Sequence, residues 1–206
     1  SPNAHLSITP EFLDEAIQVA KDLGHVPVSL DELPELLADS DDNRKFVCFT
    51  LDDGYRDNLV HAAPVFARHN APYTVFVTPG FVDRERTIWW ETAERLIHEN
   101  SSFAFDFGNG PELVTCAGTD GKLTAFDRIT WFVETASEDV AVAQLDQAAK
   151  ACGIDPMAIV EEEIMAREEL RQLLMDPLAS LGAHTMTHPN LARVCEERLG
   201  VEMRQS

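Results

Sequence analysis

The chain is poor in basic residues, and this limits the classes of partner that it can bind. Lysine and arginine number 16 against 36 aspartate and glutamate residues, and the formal net charge at pH 7 is −20. A surface this acidic repels the phosphates of nucleic acids and the headgroups of anionic membranes. We therefore expect neither nucleic acid nor a membrane surface among its partners.

Cysteine is also scarce, and its spacing does not suit cross-linking. The four cysteines are widely separated and form no Cys-x-x-Cys pair; they are Cys48, Cys116, Cys152 and Cys195. This spacing predicts neither a disulfide framework nor a zinc site built from thiolates.

Long apolar runs and targeting signals are missing from this stretch as well. No run approaches the roughly 20 apolar residues that cross a bilayer, so we expect no membrane span. The chain does not open with a basic segment followed by an apolar one, which is the pattern of an export signal. A cytoplasmic location is therefore favoured, and a periplasmic or secreted location stays open for the full-length protein. The sequence leaves the oligomeric state open.

The chain does contain the alternation of strands and helices that is typical of an α/β protein. It has 206 residues, of which 45% are hydrophobic, and this is enough for one domain with a core. Apolar runs at residues 45–51, 73–78 and 178–183 predict strands of a parallel sheet, the first of them buried on both faces. Helical patterns at residues 57–69 and 89–98 complete an α/β fold with a parallel sheet or barrel.

The middle of the chain has a different pattern. Between residues 100 and 125, short alternating segments punctuated by glycine predict a small antiparallel excursion. Its candidate strands are residues 103–107, 112–116 and 122–126. Residues 130–152 and 160–175 carry helical patterns.

Candidate functional groups follow two of the predicted strands directly. Asp52 and Asp53 come after the first strand, and His184 and His188 come after the last. Because functional groups of parallel α/β folds collect at the carboxyl ends of strands, we expect these groups to meet. One carboxylate and two imidazoles suit zinc, and also cobalt, nickel or iron, and they leave coordination positions open. A neighbouring free carboxylate can accept a proton from water.

The local backbone favours separate roles for the two aspartates. Adjacent side chains of an extended backbone point in opposite directions, so Asp52 and Asp53 do not face the same way. Gly54 permits a sharp turn after them. If their segment forms a helical turn, His184 and His188 come to one side of it.

The two segments resemble the first two motifs of the polysaccharide deacetylases, carbohydrate esterase family 4, which share the NodB homology domain. Residues 50–54 (TLDDG) are similar to the family's T-F-D-D-G, with Leu51 in place of Phe. Residues 184–189 (HTMTHP) match H-[ST]-x-x-H-[STP]. The resemblance implies an α/β fold that is part of a distorted (β/α) barrel of the NodB type.

The resemblance also implies an enzyme, a hydrolase that acts on C–N bonds as a carbohydrate N-deacetylase. Asp52 would be the catalytic base, and Asp53, His184 and His188 would bind a divalent metal. Zn²⁺ is the expected ion, with Co²⁺ or Ni²⁺ as alternatives. The implied reaction is the removal, by metal-activated water, of N-acetyl groups from amino sugars in a polysaccharide or oligosaccharide. An acetylated glycan is therefore the expected substrate.

Two further residues take supporting roles by the same resemblance. Thr185 would support the histidine loop through a hydrogen bond. The backbone N–H of Tyr55 would help to hold the oxyanion of the tetrahedral intermediate.

The chain departs from the family pattern after the second motif. Later family motifs supply an arginine that orients the base, an aromatic pocket for the acetyl group and a histidine that acts as general acid. Residues 190–206 contain neither His nor Trp. We therefore expect residues 1–206 to be a single deacetylase-like domain, truncated at the C-terminal and the N-terminal end. Residues 87–176 would be an insertion of α+β structure relative to the shortest family members. Such a fragment would bind metal but turn over poorly.

The alternative is a non-catalytic module that binds carbohydrate or another partner and retains a metal site. The presence of Asp52 argues against this alternative, because metal binding alone does not need a free base.

Overall fold

The structure is a computed structural model and describes residues 7–39 and 41–206. The described chain divides into two units. We call Ile8–Asp83 together with Glu163–Ser206 the sheet unit, and Arg84–Glu162 the hairpin unit. The predicted α/β class with parallel strands is confirmed, and the strands of the described residues do not close into a barrel.

Helices and strands alternate along much of the chain. The helices are α1 (Pro10–Asp22), α2 (Leu33–Ala38), α3 (Ala63–His69), α4 (Pro79–Val82), α5 (Trp89–Glu99), α6 (Gly118–Thr135), α7 (Glu138–Ala151), α8 (Pro156–Glu163), α9 (Arg167–Leu173) and α10 (Glu196–Arg204). The strands are β1 (His25–Pro27), β2 (Lys45–Val47), β3 (Phe49–Leu51), β4 (Tyr73–Val77), β5 (Ser102–Asp106), β6 (Pro111–Thr115) and β7 (Ala179–Ala183). None of the helices in residues 7–39 and 41–206 has the length and apolar character needed to cross a membrane.

Three parallel strands in the order β3-β4-β7 form the sheet that positions the candidate site. Val75 in the central strand lies opposite Leu51 of β3 and Leu181 of β7. At the end of β4, Val77 lies opposite Ala183. The carboxyl ends of all three strands therefore reach the same edge, although β7 comes much later in the chain than β3.

The prediction of a single doubly buried strand at residues 45–51 is wrong. The segment divides at Cys48 into β2, which pairs with β1, and β3, which pairs with β4 in a different sheet. Lys45 and Thr50 are exposed, and the apolar residues of the segment are only half-buried. Among the described residues, β2 belongs to a two-stranded sheet and β3 lies at the edge of its sheet, so neither is an inner strand.

Pro64 divides the predicted helix at residues 57–69. A π-helical turn, Asn58–Ala62, comes first, and α3 begins at Ala63 with Pro64 in its first turn. Ala62 and Ala63 are both helical, so helical backbone continues through this point, and the missing N–H of Pro64 interrupts the regular α-helical hydrogen bonds there. Phe66 of α3 then stacks on Tyr73 of β4, with ring centroids 4.4 Å apart, and forms part of the core beside the sheet.

The hairpin unit contains the predicted antiparallel excursion, with one correction. Strands β5 and β6 pair from Ser102 opposite Thr115 to Asp106 opposite Pro111. The third candidate strand, residues 122–126, is wrong because this segment lies inside α6. Its apolar residues continue a helical pattern of buried positions: Ala125, Phe126, Ile129, Phe132 and Val133.

The two long helices predicted in this part of the chain are each two helices. The pattern at residues 130–152 is interrupted between Thr135 and Glu138, so that α6 and α7 are separate. The pattern at residues 160–175 is interrupted between Glu163 and Arg167, where α8 ends and α9 begins. Helices α5, α6 and α7 pack against one another around the core of the hairpin unit.

Asp146 in α7 yields a prediction about stability and pH. Its Oδ2 accepts a hydrogen bond from Thr87 Oγ1 at 2.9 Å, whereas its Oδ1 is buried and has no hydrogen-bond partner among the described residues. Burial raises the pKa of Asp146 above 3.8, although the Thr87 hydrogen bond and Lys150 oppose this shift. Asp146 therefore stabilises the folded protein fully at pH values below its pKa in the unfolded state. This stabilisation is lost as the pH rises through its pKa in the folded state.

We expect Asp146→Asn to unfold at a higher temperature than the unaltered protein at neutral pH, because asparagine is never charged. This gain should shrink as pH falls towards the unfolded pKa, where Asp146 is itself neutral. Thermal unfolding monitored across pH measures the difference, and Asp127→Asn, at an exposed aspartate of α6, is the control. A gain of equal size for both variants at every pH would contradict the role of burial.

Candidate metal centre

Asp53, His184 and His188 meet at the carboxyl edge of the sheet. Each offers one ligand atom, and these atoms all lie within 4.8 Å of one another. Asp53 Oδ1 is 3.6 Å from His184 Nε2 and 3.4 Å from His188 Nε2. The two imidazole rings are 5.0 Å apart between centroids. The three residues predicted to be ligands are thus brought together around one point.

The state of Asp53 tests whether this cluster fits a cation. Its Oδ1 is buried and has no hydrogen-bond partner among the described residues, which is costly for a carboxylate oxygen. Burial raises the pKa of Asp53 above 3.8; His188 and His184 oppose this shift, and Asp52 adds to it. A bound cation would give the oxygen its missing partner. The donor set of one carboxylate and two imidazoles also suits zinc and related divalent ions.

A tight turn after β3 separates the two aspartates. Asp53 and Gly54 both adopt left-handed backbone, with φ of 67° and 78°. The Gly54 N–H donates to the Asp52 carbonyl at 2.9 Å, and the Gly54 carbonyl accepts from the Met165 N–H at 3.0 Å. Asp52 is exposed, whereas the Asp53 side chain has only 14% exposure. The turn thus presents one carboxylate to solvent and the other to the histidines.

The loop that carries both histidines is attached to the end of β4. The His184 N–H donates to the Val77 carbonyl at 2.9 Å, and Thr78 Oγ1 donates to the His184 carbonyl at 2.9 Å. The Gly80 N–H donates to the Met186 carbonyl at 2.8 Å. These three bonds hold the loop beside the Asp52-Asp53 turn.

Residues 184–188 do not form the helical turn that would have set both histidines on one side. Thr185 and His188 have φ of 62° and 56°, in the left-handed region, so the segment is an irregular loop. Residues in such conformations cost about 1–3 kcal/mol each and persist where their surroundings fix them. The Thr185 side chain contributes locally, since its Oγ1 accepts the His188 N–H at 3.0 Å.

Two phenylalanines pack on the imidazoles. The Phe81 ring stacks on His188 with a centroid distance of 5.8 Å and an interplanar angle of 28°. The Phe76 ring lies 6.5 Å from the His184 ring at 59°. These contacts restrict the ring orientations, which helps to keep each Nε2 directed towards Asp53.

Tyr55 follows the aspartate turn and forms an isolated antiparallel bridge with Ile164. The next residue, Arg56, forms a bidentate ion pair with Glu169. Its Nε donates to Glu169 Oε1 at 2.7 Å, and its Nη2 donates to Glu169 Oε2 at 3.1 Å. Arg56 also donates to the Ile164 carbonyl at 2.9 Å. Nothing in the sequence indicates this pair, because its members are far apart in the chain and lie outside both motifs.

Glu202 in α10 is the other residue that sequence reasoning missed. It is 2% exposed, and its carboxylate accepts hydrogen bonds from Met186 and Thr187 in the histidine loop. A glutamate within a strongly polar helix is ordinarily solvated, so the sequence carries no signal of this burial. Its contact with the histidine loop depends on how α10 packs in the folded chain.

The turn geometry predicts a difference between two glycines of the sheet unit. Gly24 and Gly54 have similar φ, 81° and 78°. An added Cβ on Gly24 has no described atom within 4 Å, whereas one on Gly54 would lie 2.9 Å from Val77 Cγ1. Backbone strain applies to both positions, and a steric clash applies only to Gly54.

We expect Gly24→Ala to lower the free energy of unfolding by about 1–2 kcal/mol, the cost of left-handed backbone for alanine. Gly54→Ala should lower it further, because the clash with Val77 is added to that cost. Denaturant titration of both variants measures the two losses. Equal losses would show that the approach to Val77 does not constrain the turn.

Comparisons with known proteins agree with the first motif. A sequence model of the family described as polysaccharide deacetylase matches residues 39–108, about a third of the chain. This range includes Asp52 and Asp53 and ends well before His184. No curated protein sequence matches the chain.

Solved structures extend the comparison to the fold. The Streptococcus pyogenes deacetylase PplD, solved in complex with acetate, is similar with a TM-score of 0.52 and 16% identity, over 100% of this chain and 60% of that one. The deacetylase domain of BpsB from Bordetella bronchiseptica gives a TM-score of 0.43 and 14% identity, over 87% and 44%. The chain therefore spans less than two thirds of either structure. The family match over residues 39–108 confirms the resemblance to the polysaccharide deacetylase family that the two motifs indicated, and the PplD structure shows a similar fold.

Proposed function

We propose that the chain is part of a metal-dependent hydrolase that removes N-acetyl groups from amino sugars of a polysaccharide or oligosaccharide. The observation that carries this proposal is the convergence of Asp53, His184 and His188, with exposed Asp52 next to them. The family match over residues 39–108 supports the deacetylase chemistry. The similarly folded PplD is a deacetylase solved with acetate, and acetate is the small product of the reaction proposed here.

Asp53, His184 and His188 would hold the metal. Zn²⁺ fits this donor set, and Co²⁺ or Ni²⁺ are alternatives. When bound, such an ion supplies Lewis acidity, which polarises a carbonyl group and lowers the pKa of water. The Oδ1 atom of Asp53 is buried and has no hydrogen-bond partner among the described residues, which favours this carboxylate as the anionic ligand.

Asp52 would act as the general base. It is exposed beside the three ligands, and a carboxylate in that position can accept a proton from the water that attacks the acetyl carbonyl. The Tyr55 backbone N–H would donate to the oxyanion that forms on the carbonyl oxygen. The Arg56–Glu169 ion pair keeps the backbone after Tyr55 in place.

A non-catalytic module that binds carbohydrate and retains a metal site is the second candidate. It needs Asp53, His184 and His188, but it gives no role to Asp52. Measurements of activity and of metal binding therefore separate the two candidates.

Removal of one histidine at a time tests the ligand set. His184→Ala and His188→Ala should each abolish stoichiometric zinc binding, because two remaining donors hold an ion too weakly. Metal content after dialysis and competition with a chromophoric chelator measure the binding. His61→Ala, at an exposed histidine of the same unit, is the control and should keep full stoichiometry. Equal zinc content in all three variants would show that the ligand set is wrong.

Neutralisation of Asp52 tests its role as the general base. In the full-length protein loaded with zinc, Asp52→Asn should lower kcat for acetate release from acetylated chito-oligosaccharides by about 100-fold or more, with zinc content unchanged. Asp31→Asn, at an exposed aspartate of the same unit, should release acetate at the original rate.

Unchanged release in Asp52→Asn would remove Asp52 from the mechanism. Zinc binding without any acetate release from the unaltered protein would favour the non-catalytic module.

A further inference from the structure

Glu202 is a buried acidic side chain to which the reaction described above gives no role. Its Oε2 accepts the N–H groups of both Met186 and Thr187, each at 2.9 Å. Its Oε1 accepts the Thr187 hydroxyl at 2.5 Å. All three donors belong to the short stretch between His184 and His188. One carboxylate therefore satisfies much of the polar backbone that separates the two proposed ligands.

The surroundings of Glu202 favour its charged form as the acceptor. Arg198, one helical turn earlier in α10, places its Nε 3.4 Å from Glu202 Oε1. The same guanidinium donates to Thr187 Oγ1 at 3.3 Å. The Thr187 hydroxyl thus accepts from Arg198 and donates to Glu202. Hydrogen bonds to an ionised acceptor are stronger than those between neutral groups, more so away from water.

The histidine loop needs such support because its own backbone is strained. Thr185 and His188 have left-handed φ, which is unfavourable for a β-branched residue such as threonine. One side of the loop is fixed by the hydrogen bonds to Val77, Thr78 and Gly80 at the end of β4. Glu202 fixes the other side.

We propose that Glu202 is a positioning residue of the metal centre, whose carboxylate holds the histidine loop so that His184 and His188 direct their Nε2 atoms to the same point. This inference rests on the metal site of the proposed function. Glu202 is not one of the three residues whose ligand atoms converge; it acts through Met186 and Thr187. Groups that hydrogen-bond metal ligands directly typically change metal affinity 10–100-fold when they are removed. Glu202 acts one residue further from the ligands, so we expect an effect at the lower end of this range.

A purely structural role for Glu202 is the competing explanation. The contact also attaches α10 to the rest of the sheet unit, and its loss would lower stability in either case. Stability alone therefore does not distinguish the two roles. Metal affinity of the folded protein does, because an anchor for α10 has no reason to change it.

The test is the zinc affinity of Glu202→Gln, measured by chelator competition well below its unfolding temperature. Glutamine keeps the shape but removes the negative charge. With its amide oxygen in the place of Oε2, its NH₂ group takes the place of Oε1, where it cannot accept from the Thr187 hydroxyl and faces the Arg198 guanidinium, which is also a donor. We expect the dissociation constant for zinc to rise about tenfold. The visible absorption of the Co²⁺-loaded variant should also change, because the two imidazoles no longer hold the same geometry.

Two further variants complete the test. Thr187→Val removes only the hydroxyl donor and leaves both N–H groups on Glu202, so we expect a smaller loss of zinc affinity. Ile17→Val removes one buried methyl group in α1; it should lower the unfolding temperature without changing zinc affinity or the Co²⁺ spectrum. If Glu202→Gln does not fold, Thr187→Val carries the test.

The outcomes separate the inference from the function on which it rests. Unchanged affinity and an unchanged Co²⁺ spectrum in the folded Glu202→Gln, or in Thr187→Val when that variant carries the test, overturn the positioning role and leave the ligand set intact. A loss of affinity in Ile17→Val equal to that in Glu202→Gln also overturns it, because destabilisation alone would then explain the effect. If the unaltered protein binds neither ion, the ligand set and the positioning role fall together.

Discussion

Parallel pairing of β4 with both β3 and β7 is the constraint on which the candidate site depends. The pairing sets the carboxyl ends of β3 and β7 beside one another, and each strand is followed directly by one motif. Val77, the last residue of β4, touches both motifs. Its carbonyl accepts the His184 N–H, and its side chain occupies the space that a Cβ on Gly54 would need. A shift of β4 would therefore move the aspartate turn and the histidine loop together.

Unfavourable local features are concentrated at this edge. The described chain has five non-glycine residues with positive φ, and three of them, Asp53, Thr185 and His188, lie in the two motifs. The unpaired buried oxygen of Asp53 is a further cost at the same place. Strain of this kind is typical of functional sites, where the surrounding structure holds a conformation that the local sequence would not choose. Here the carboxyl end of β4 and the Glu202 carboxylate provide that surrounding structure.

Prediction from sequence succeeded for two of the three apolar runs and for the groups that follow the strands. The runs at residues 73–78 and 178–183 are strands, and the groups that follow residues 51 and 183 meet as expected. Residues 45–51 became two strands because sheet membership depends on distant partners that an apolar run does not specify. Residues 122–126 are helical because Ala125 and Phe126 pack in the core of the hairpin unit as part of α6. Such packing outweighs a local preference for strand.

Tertiary contacts account for the remaining differences at the site. The histidine loop is not helical because its polar backbone groups bond to β4 and to Glu202 instead of to one another. Neither contact is visible in the spacing of residues 184–188. The Arg56–Glu169 pair was hidden for the same reason, since its members are brought together only by the fold.

The wide separation of the ligands in the chain has a thermodynamic consequence. A metal held by Asp53, His184 and His188 would join the segment after β3 to the segment after β7, and would close the long loop of chain between them. Cross-links that close long loops restrict the unfolded ensemble strongly, and an ion that binds only the folded form stabilises it in proportion to the logarithm of its concentration. The free energy of unfolding of the sheet unit would then rise with the concentration of free metal. A low concentration of the ion would lower the stability of the fold as well as the fraction of protein that carries the metal.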